Sequence, residues 1–137
     1  MRVFVDTSAF LAVLNAADAY HSRAAAIWIE LLDQSVELIT NSFVLVETYA
    51  LVQNRLGLEA VRTLAGDIIP LFTVKWVDAD LYQQAVNTYL TANRRQLSLT
   101  DCSSFVAMRK DHIVKAFSFD RHFREQGFEV LGLEVLQ

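Results

Sequence analysis

Short apolar runs that end in helix-capping residues, each followed by a helical periodicity, recur along this chain and restrict what it can build. Val3-Phe4-Val5 reads as a buried strand bounded by Asp6-Thr7-Ser8, three residue types that favour helix N-termini. Phe10, Leu11, Leu14 and Ala17 continue at helical spacing, and Ala25, Trp28, Ile29 and Leu32 fall on one face of a second helix. Val36 to Thr40 is a strand rich in branched residues. Asn41-Ser42 caps a third helix running to about Leu56, with Gly57 as its stop and Leu45, Tyr49, Val52 and Leu56 as its apolar stripe. A shorter helix is expected over Leu58 to Asp67. Pro70 excludes a central strand at that point, and Phe72 to Val77 reads as a strand. Asp78 caps a long helix reaching the Asn93-Arg94-Arg95 region. Ser98-Leu99-Thr100-Asp101 has the Ser-x-x-Asp form of a capping box, before an apolar helix that ends near Asp111. Ile113 to Phe119 is a strand, Asp120 opens a short helical turn, and Phe128 to Leu131 is a last strand.

Strands that alternate with helices, and are apolar on both faces, define an α/β fold: a central parallel sheet of about five strands flanked by helices. In such sheets ligands bind beyond the carboxyl ends of the strands. The chain has 137 residues, which suits a single domain over 1–137. One proline, four glycines and no low-complexity run speak against disorder. An acid at position 6 ends the first apolar run too early for a signal peptide. No stretch approaches the ~20 apolar residues of a membrane helix. The single cysteine, Cys102, has no internal disulfide partner, and no Cys/His spacing suits zinc. A cytoplasmic protein without a membrane anchor is the expectation.

Four acids stand out against this pattern. Asp6 and Asp120 follow strands at their carboxyl ends, which in a parallel sheet share one edge. Asp101 lies in the first turn of a helix that starts on that edge. Glu47 lies in Phe43-Val44-Leu45-Val46-Glu47-Thr48-Tyr49, where an ionised carboxylate needs water, a partner or a metal. Each has an ordinary use as well: Asp6 as a helix cap, Asp101 as the partner of Ser98, Asp120 in a turn, Glu47 paired with Arg. Gathered together they repel one another, and Mg²⁺ or Mn²⁺ removes the conflict because hard cations prefer oxygen ligands. Phosphodiester hydrolysis suits such a site. No GxxxxGK[ST] loop is present, which speaks against ATP-driven chemistry.

The formal net charge of −4 is unusual for a chain that binds nucleic acid. Residues 1–93 carry five Lys/Arg against ten Asp/Glu, and residues 94–137 carry seven against six. Two divalent ions in the acid cluster would bring the formal charge to zero.

The opening Val3-Phe4-Val5-Asp6-Thr7-Ser8-Ala9-Phe10 resembles the start of PIN domains. Val46-Glu47, Leu99-Thr100-Asp101-Cys102 and Ala116-Phe117-Ser118-Phe119-Asp120-Arg121-His122-Phe123 are similar, in order and spacing, to the other three motifs of that family. The length is most like the VapC-type toxins of toxin–antitoxin pairs. The resemblance implies a three-layer α/β/α fold and a Mg²⁺- or Mn²⁺-dependent endoribonuclease. It also implies a homodimer and a cognate antitoxin that covers the site. It assigns Asp6 and Asp101 as main metal ligands, with Glu47 and Asp120 acting directly or through water. Thr7, Ser8 and Ser118 match small hydroxyl positions that orient a carboxylate or water.

Arg121 adjoins Asp120 and is the best candidate phosphate contact among Arg94, Arg95, Arg121 and Arg124, since the guanidinium fork suits phosphate. His122 is a candidate proton carrier near the site, with a surface or packing role as the leading expectation, and Cys102 is expected to be a small core residue. Trp28 and Trp76 are expected in the core or an interface. A PIN-like module that binds RNA or protein without catalysis, and a metal nuclease acting on DNA, are the competing readings.

Overall fold

The computed structural model describes residues 1–134. The last three residues of the expected 1–137 domain lie outside the described residues. Five parallel strands form one sheet: β1 (Arg2–Val5), β2 (Glu37–Asn41), β3 (Phe72–Lys75), β4 (Lys115–Phe117) and β5 (Glu129–Leu131), in the order β3-β2-β1-β4-β5. Seven α-helices flank it among the described residues: α1 (Thr7–Leu14), α2 (His21–Asp33), α3 (Ser42–Leu56), α4 (Leu58–Thr63), α5 (Ala79–Ala92), α6 (Leu99–Lys110) and α7 (Arg121–Glu125). The parallel sheet flanked by helices expected from the alternating pattern, and the three-layer α/β/α fold implied by the resemblance, are what is found.

β1 is central because its side chains are apolar in both directions. Val3 and Phe4 are 0% exposed and Val5 1%. Fully burying such a side chain contributes roughly 1.5–3 kcal/mol. Chain order runs from β1 outward through β2 to β3, then returns to the other side of β1 for β4 and β5. The reversal falls between β1 and β4, so the crevice at their carboxyl ends is the topological switch point where ligands of open parallel sheets bind.

Several expected boundaries shift for local reasons. The strand expected over Ile113 to Phe119 is confined to Lys115–Phe117. Ile113 N–H still closes the end of α6 on the Met108 carbonyl, 2.8 Å away, and His112 turns with φ of 56°. Asp120 therefore does not follow the strand directly but stands three residues past it. β3 stops at Lys75, opposite Asn41, because Asn41 leaves β2 to cap α3. The short helix expected to Asp67 is α-helical only to Thr63, then widens into a π-turn over Leu64–Ile68 and tightens to 3-10 over Ile69–Leu71 around Pro70. Trp28 stacks on Phe72, with centroids 6.1 Å apart. Trp76 is not in the core: it lies one residue past the end of edge strand β3 and is 75% exposed.

Candidate active site

Each of three acids is first a helix cap. Asp6 is the N-cap of α1, its Oδ2 accepting the Ser8 N–H at 3.4 Å. Asp120 is the N-cap of α7, its Oδ1 accepting the His122 N–H at 2.9 Å. Asp101 and Ser98 form the capping box foreseen at α6: Ser98 Oγ accepts the Asp101 N–H at 3.0 Å, and Asp101 Oδ2 accepts the Ser98 N–H at 3.1 Å. The capping roles and the gathering of the acids are one arrangement, since the caps point the carboxylates at the crevice. Helix N-termini carry partial positive charge, which offsets some of the repulsion among acids.

Asp6 anchors the group. It is 4% exposed, and its backbone N–H donates to the Phe117 carbonyl at 3.0 Å, locking the ends of β1 and β4 together. Its Oδ2 accepts the Ser8 hydroxyl at 2.9 Å and the Ser118 hydroxyl at 3.0 Å. Those hydroxyls in turn accept backbone N–H groups, Ser8 from Phe119 and Ser118 from Asp120, each at 3.0 Å. Two relays thus run from the backbone through a serine to one carboxylate oxygen, and such chains polarise cooperatively. Thr7 is buried and its hydroxyl accepts from Thr48 Oγ1 at 3.2 Å, joining α1 to α3 next to Glu47.

Other bonds hold the start of α6 in place. Asn41 caps α3 through the Val44 N–H and donates its amide to Ser103 Oγ at 3.2 Å, while Ser103 donates to the Thr100 carbonyl at 2.6 Å. Thr40 Oγ1 donates to the Val5 carbonyl at 3.0 Å, at the last step before Asp6.

The electrostatics record how close the acids stand. Burial, then the neighbouring Asp101 charge, push the Asp6 carboxyl up to about 7, against the opposing hydrogen bonds of Ser8 and Ser118 and with a further push from Asp120. Asp101 is also raised, first by burial and then by the charge of Asp120, against the Ser98 hydrogen bonds. Among the described residues, no lysine or arginine forms an ion pair with Asp6, Glu47, Asp101 or Asp120.

His122, expected first in a surface or packing role, stands beside the acids instead. Its Nδ1 lies 3.0 Å from Asp120 Oδ1 and 4.0 Å from Asp101 Oδ2. That nitrogen is buried and lacks a well-aligned hydrogen bond. Asp101, Asp120 and His122 each bring one ligand atom into a group no wider than 4.8 Å. The available signal was the Asp-x-His spacing at a short helix start, which carries the ring back beside its cap. Glu47 is half-buried on α3, and no hydrogen bond or ion pair holds it among the described residues. The exposed Arg121 shares with Ser8, Asp120 and His122 the wall of an open cleft of about 610 Å³. Arg94 is occupied by Glu125, and Arg124 donates to the Glu134 carbonyl. Cys102 is buried, as expected.

Asp101, Asp120 and His122 offer a donor set that suits a hard divalent cation, with no lysine or arginine paired to it among the described residues; Asp6 stands outside that group but close enough for the charges of Asp101 and Asp120 to raise its carboxyl.

The fold and this acid cluster together define a family. The PIN-domain model matches residues 3–129, and the chain belongs to the PIN-domain family. It is 36% identical over 127 residues to the 23S rRNA-specific endonuclease VapC20 of Mycobacterium tuberculosis, in strains CDC 1551 and H37Rv alike, covering 92% of this chain and 95% of that protein. The crystal structure of M. tuberculosis VapC20, a sarcin–ricin loop cleaving toxin, superposes with a TM-score of 0.80 over the same shares. FitAcB from Neisseria gonorrhoeae shares the fold at 18% identity, with a TM-score of 0.68 over 96% of each chain.

Proposed function

We propose that this protein is a metal-dependent endoribonuclease, a single PIN-like domain over 1–137, acting as the toxin of a type II toxin–antitoxin pair. The observation that carries the reading is the convergence of Asp6, Asp101 and Asp120, from three distant stretches of sequence, at one sheet edge where, among the described residues, no lysine or arginine pairs with them. Similarity to VapC20 over nearly the whole chain supports RNA as the substrate, with the sarcin–ricin loop of large-subunit ribosomal RNA as the first target to test.

Asp6, Asp101 and Asp120 would hold Mg²⁺ or Mn²⁺, with Glu47 completing the site directly or through water and His122 beside them. Such an ion would supply an activated water and charge neutralisation at the scissile phosphate. The protein's own part is positioning. Ser8 and Ser118 fix one oxygen of Asp6, Thr7 ties α1 to the helix that carries Glu47, and Arg121 offers a forked donor to an incoming phosphate. A cognate antitoxin that covers the cleft, a homodimer and a cytoplasmic location belong to the same proposal.

The test is incubation of purified protein with ribosomal RNA, and with DNA of the same sequence, in Mg²⁺, Mn²⁺ or EDTA. RNA cut at discrete sites, only with the ion, is the expected result. Intact RNA in every buffer overturns the reading, and cleavage of DNA alone redirects it to a deoxyribonuclease. Binding of RNA without cleavage by wild type would leave a non-catalytic module.

A further inference from the structure

The cleft beside the acids has two features that the fold's own bonding does not use. The first is an aromatic platform. The Tyr20 ring stacks on Phe119, with centroids 4.6 Å apart and planes 13° apart, yet Tyr20 stays 47% exposed. The platform is held from both ends. The Tyr20 backbone N–H donates to Asp18 Oδ1 at 2.8 Å, and the Phe119 N–H donates to Ser8 Oγ in the relay to Asp6. Phe119 stands between Ser118 and Asp120, so the stack is built directly on the site.

The second feature is a pair of uncommitted cations. Arg55 and Arg121 both line the cleft and are exposed, and among the described residues neither forms a hydrogen bond or ion pair. Arg23, Arg62 and Arg94 are all paired with glutamates. Asp18, Asp120 and Glu125 line the same cleft, so the two guanidiniums are what it offers an anion between its acids. A ligand that is flat and apolar in one part and anionic in another fits both features. An unpaired nucleotide of RNA has that chemistry: bases stack on aromatic rings, and guanidinium forks hold phosphate.

We propose that the cleft seats an unpaired RNA base on Tyr20, with Arg55 and Arg121 on the flanking phosphates, and that this seat selects which phosphodiester reaches the acids. The inference rests on the ribonuclease reading above and adds the residues that choose the substrate.

The test measures binding separately from cleavage, in an Asp6→Asn background. Two probes are used: a sarcin–ricin stem-loop RNA carrying 2-aminopurine at each loop position in turn, and an unstructured RNA 12-mer carrying one 2-aminopurine. Stacking on Tyr20 quenches the fluorescence of at least one label. Tyr20→Phe keeps affinity within about twofold. Tyr20→Leu, which retains an apolar contact with Phe119 but no π-face, weakens binding by about 5- to 150-fold, the range of base–aromatic stacking, and abolishes the quench. Arg121→Ala lowers the slope of log affinity against log salt by about 0.7, one phosphate contact on a single strand. In the cleaving protein, Tyr20→Leu raises KM far more than it lowers kcat. Unchanged affinity and quench in Tyr20→Leu, with wild-type cleavage intact, overturns this inference alone. Binding of neither probe, with no RNA cleavage by wild type, overturns the ribonuclease reading with it.

Discussion

At the scale of single residues, Asp6 carries the tension of the site. Its carboxyl is raised from the ordinary 3.8 to about 7, so the folded chain binds that proton more tightly than the unfolded chain does. Stability from this source is full below about pH 4 and is lost as pH rises through 7. Removing the charge by Asp6→Asn should raise the melting temperature of the metal-free protein most at pH 8, less at pH 5, and little at pH 4 or below. The upper bound is on the order of 4 kcal/mol. Thermal melts at the three pH values measure this, and equal effects at all of them would refute the origin in Asp6 ionisation. The same substitution should abolish cleavage, the usual conflict between stability and an active site. Ser118→Ala removes a donor to Asp6 and the acceptor of the Asp120 N–H at once. It should cost about 1–3 kcal/mol in denaturant melts and lower the rate of cleavage.

At the scale of elements, the acids were legible because caps are legible. Asp6, Asp78 and the Ser98–Asp101 box all start helices where their residue types predict, and Asn41 and Gly57 bound α3 as expected. Asp120 was placed on the correct edge through a strand that is shorter than its apolar run suggests. Burial, and not strand pairing, explains why Ile113 is apolar: it is 3% exposed where it closes α6. His122 reads first as a surface or packing residue because its one local signal, the Asp-x-His spacing at a short helix start, also fits a solvated turn. The role of Gly132 was equally invisible. It has φ of +113°, and a Cβ there would lie 2.7 Å from the Ser118 carbonyl and 3.0 Å from the Phe119 ring. Its carbonyl accepts from Arg23 at 2.9 Å, which fixes it against α2. Gly132→Ala should therefore displace the Ser118–Asp120 segment, destabilise the fold by about 1–3 kcal/mol and depress cleavage. Wild-type melting and activity in that variant would show that the segment is not braced from behind.

At the scale of the whole molecule, the sheet order does what no motif does alone. Reversal of the chain between β1 and β4 creates the crevice, and Asp6 and Ser118 bond across it. The parallel α/β pattern was readable from alternation, but strand order was not, since several orders satisfy the same pattern. Nor did composition reveal that Arg55 and Arg121, unpaired among the described residues, share one cleft, because net charge says nothing of where each charge sits. Among the described residues no helix is long and apolar enough to cross a membrane. Divalent ion should stabilise the folded protein more at pH 8 than at pH 6, since the ion binds the carboxylate and displaces the proton. Melts with and without Mg²⁺ at both pH values check this.

The central claim is that Asp6, Asp101 and Asp120 form one metal site that cuts RNA. The most direct measurement follows Mn²⁺ binding and cleavage of a sarcin–ricin loop RNA on the same preparations of wild type and Asp101→Asn, with circular dichroism as the check on folding. The substitution is expected to leave the fold intact and to remove Mn²⁺ affinity and cleavage together, by at least about 100-fold in rate. Cleavage that persists in EDTA, or an Asp101→Asn protein that cuts RNA at the wild-type rate, would contradict it.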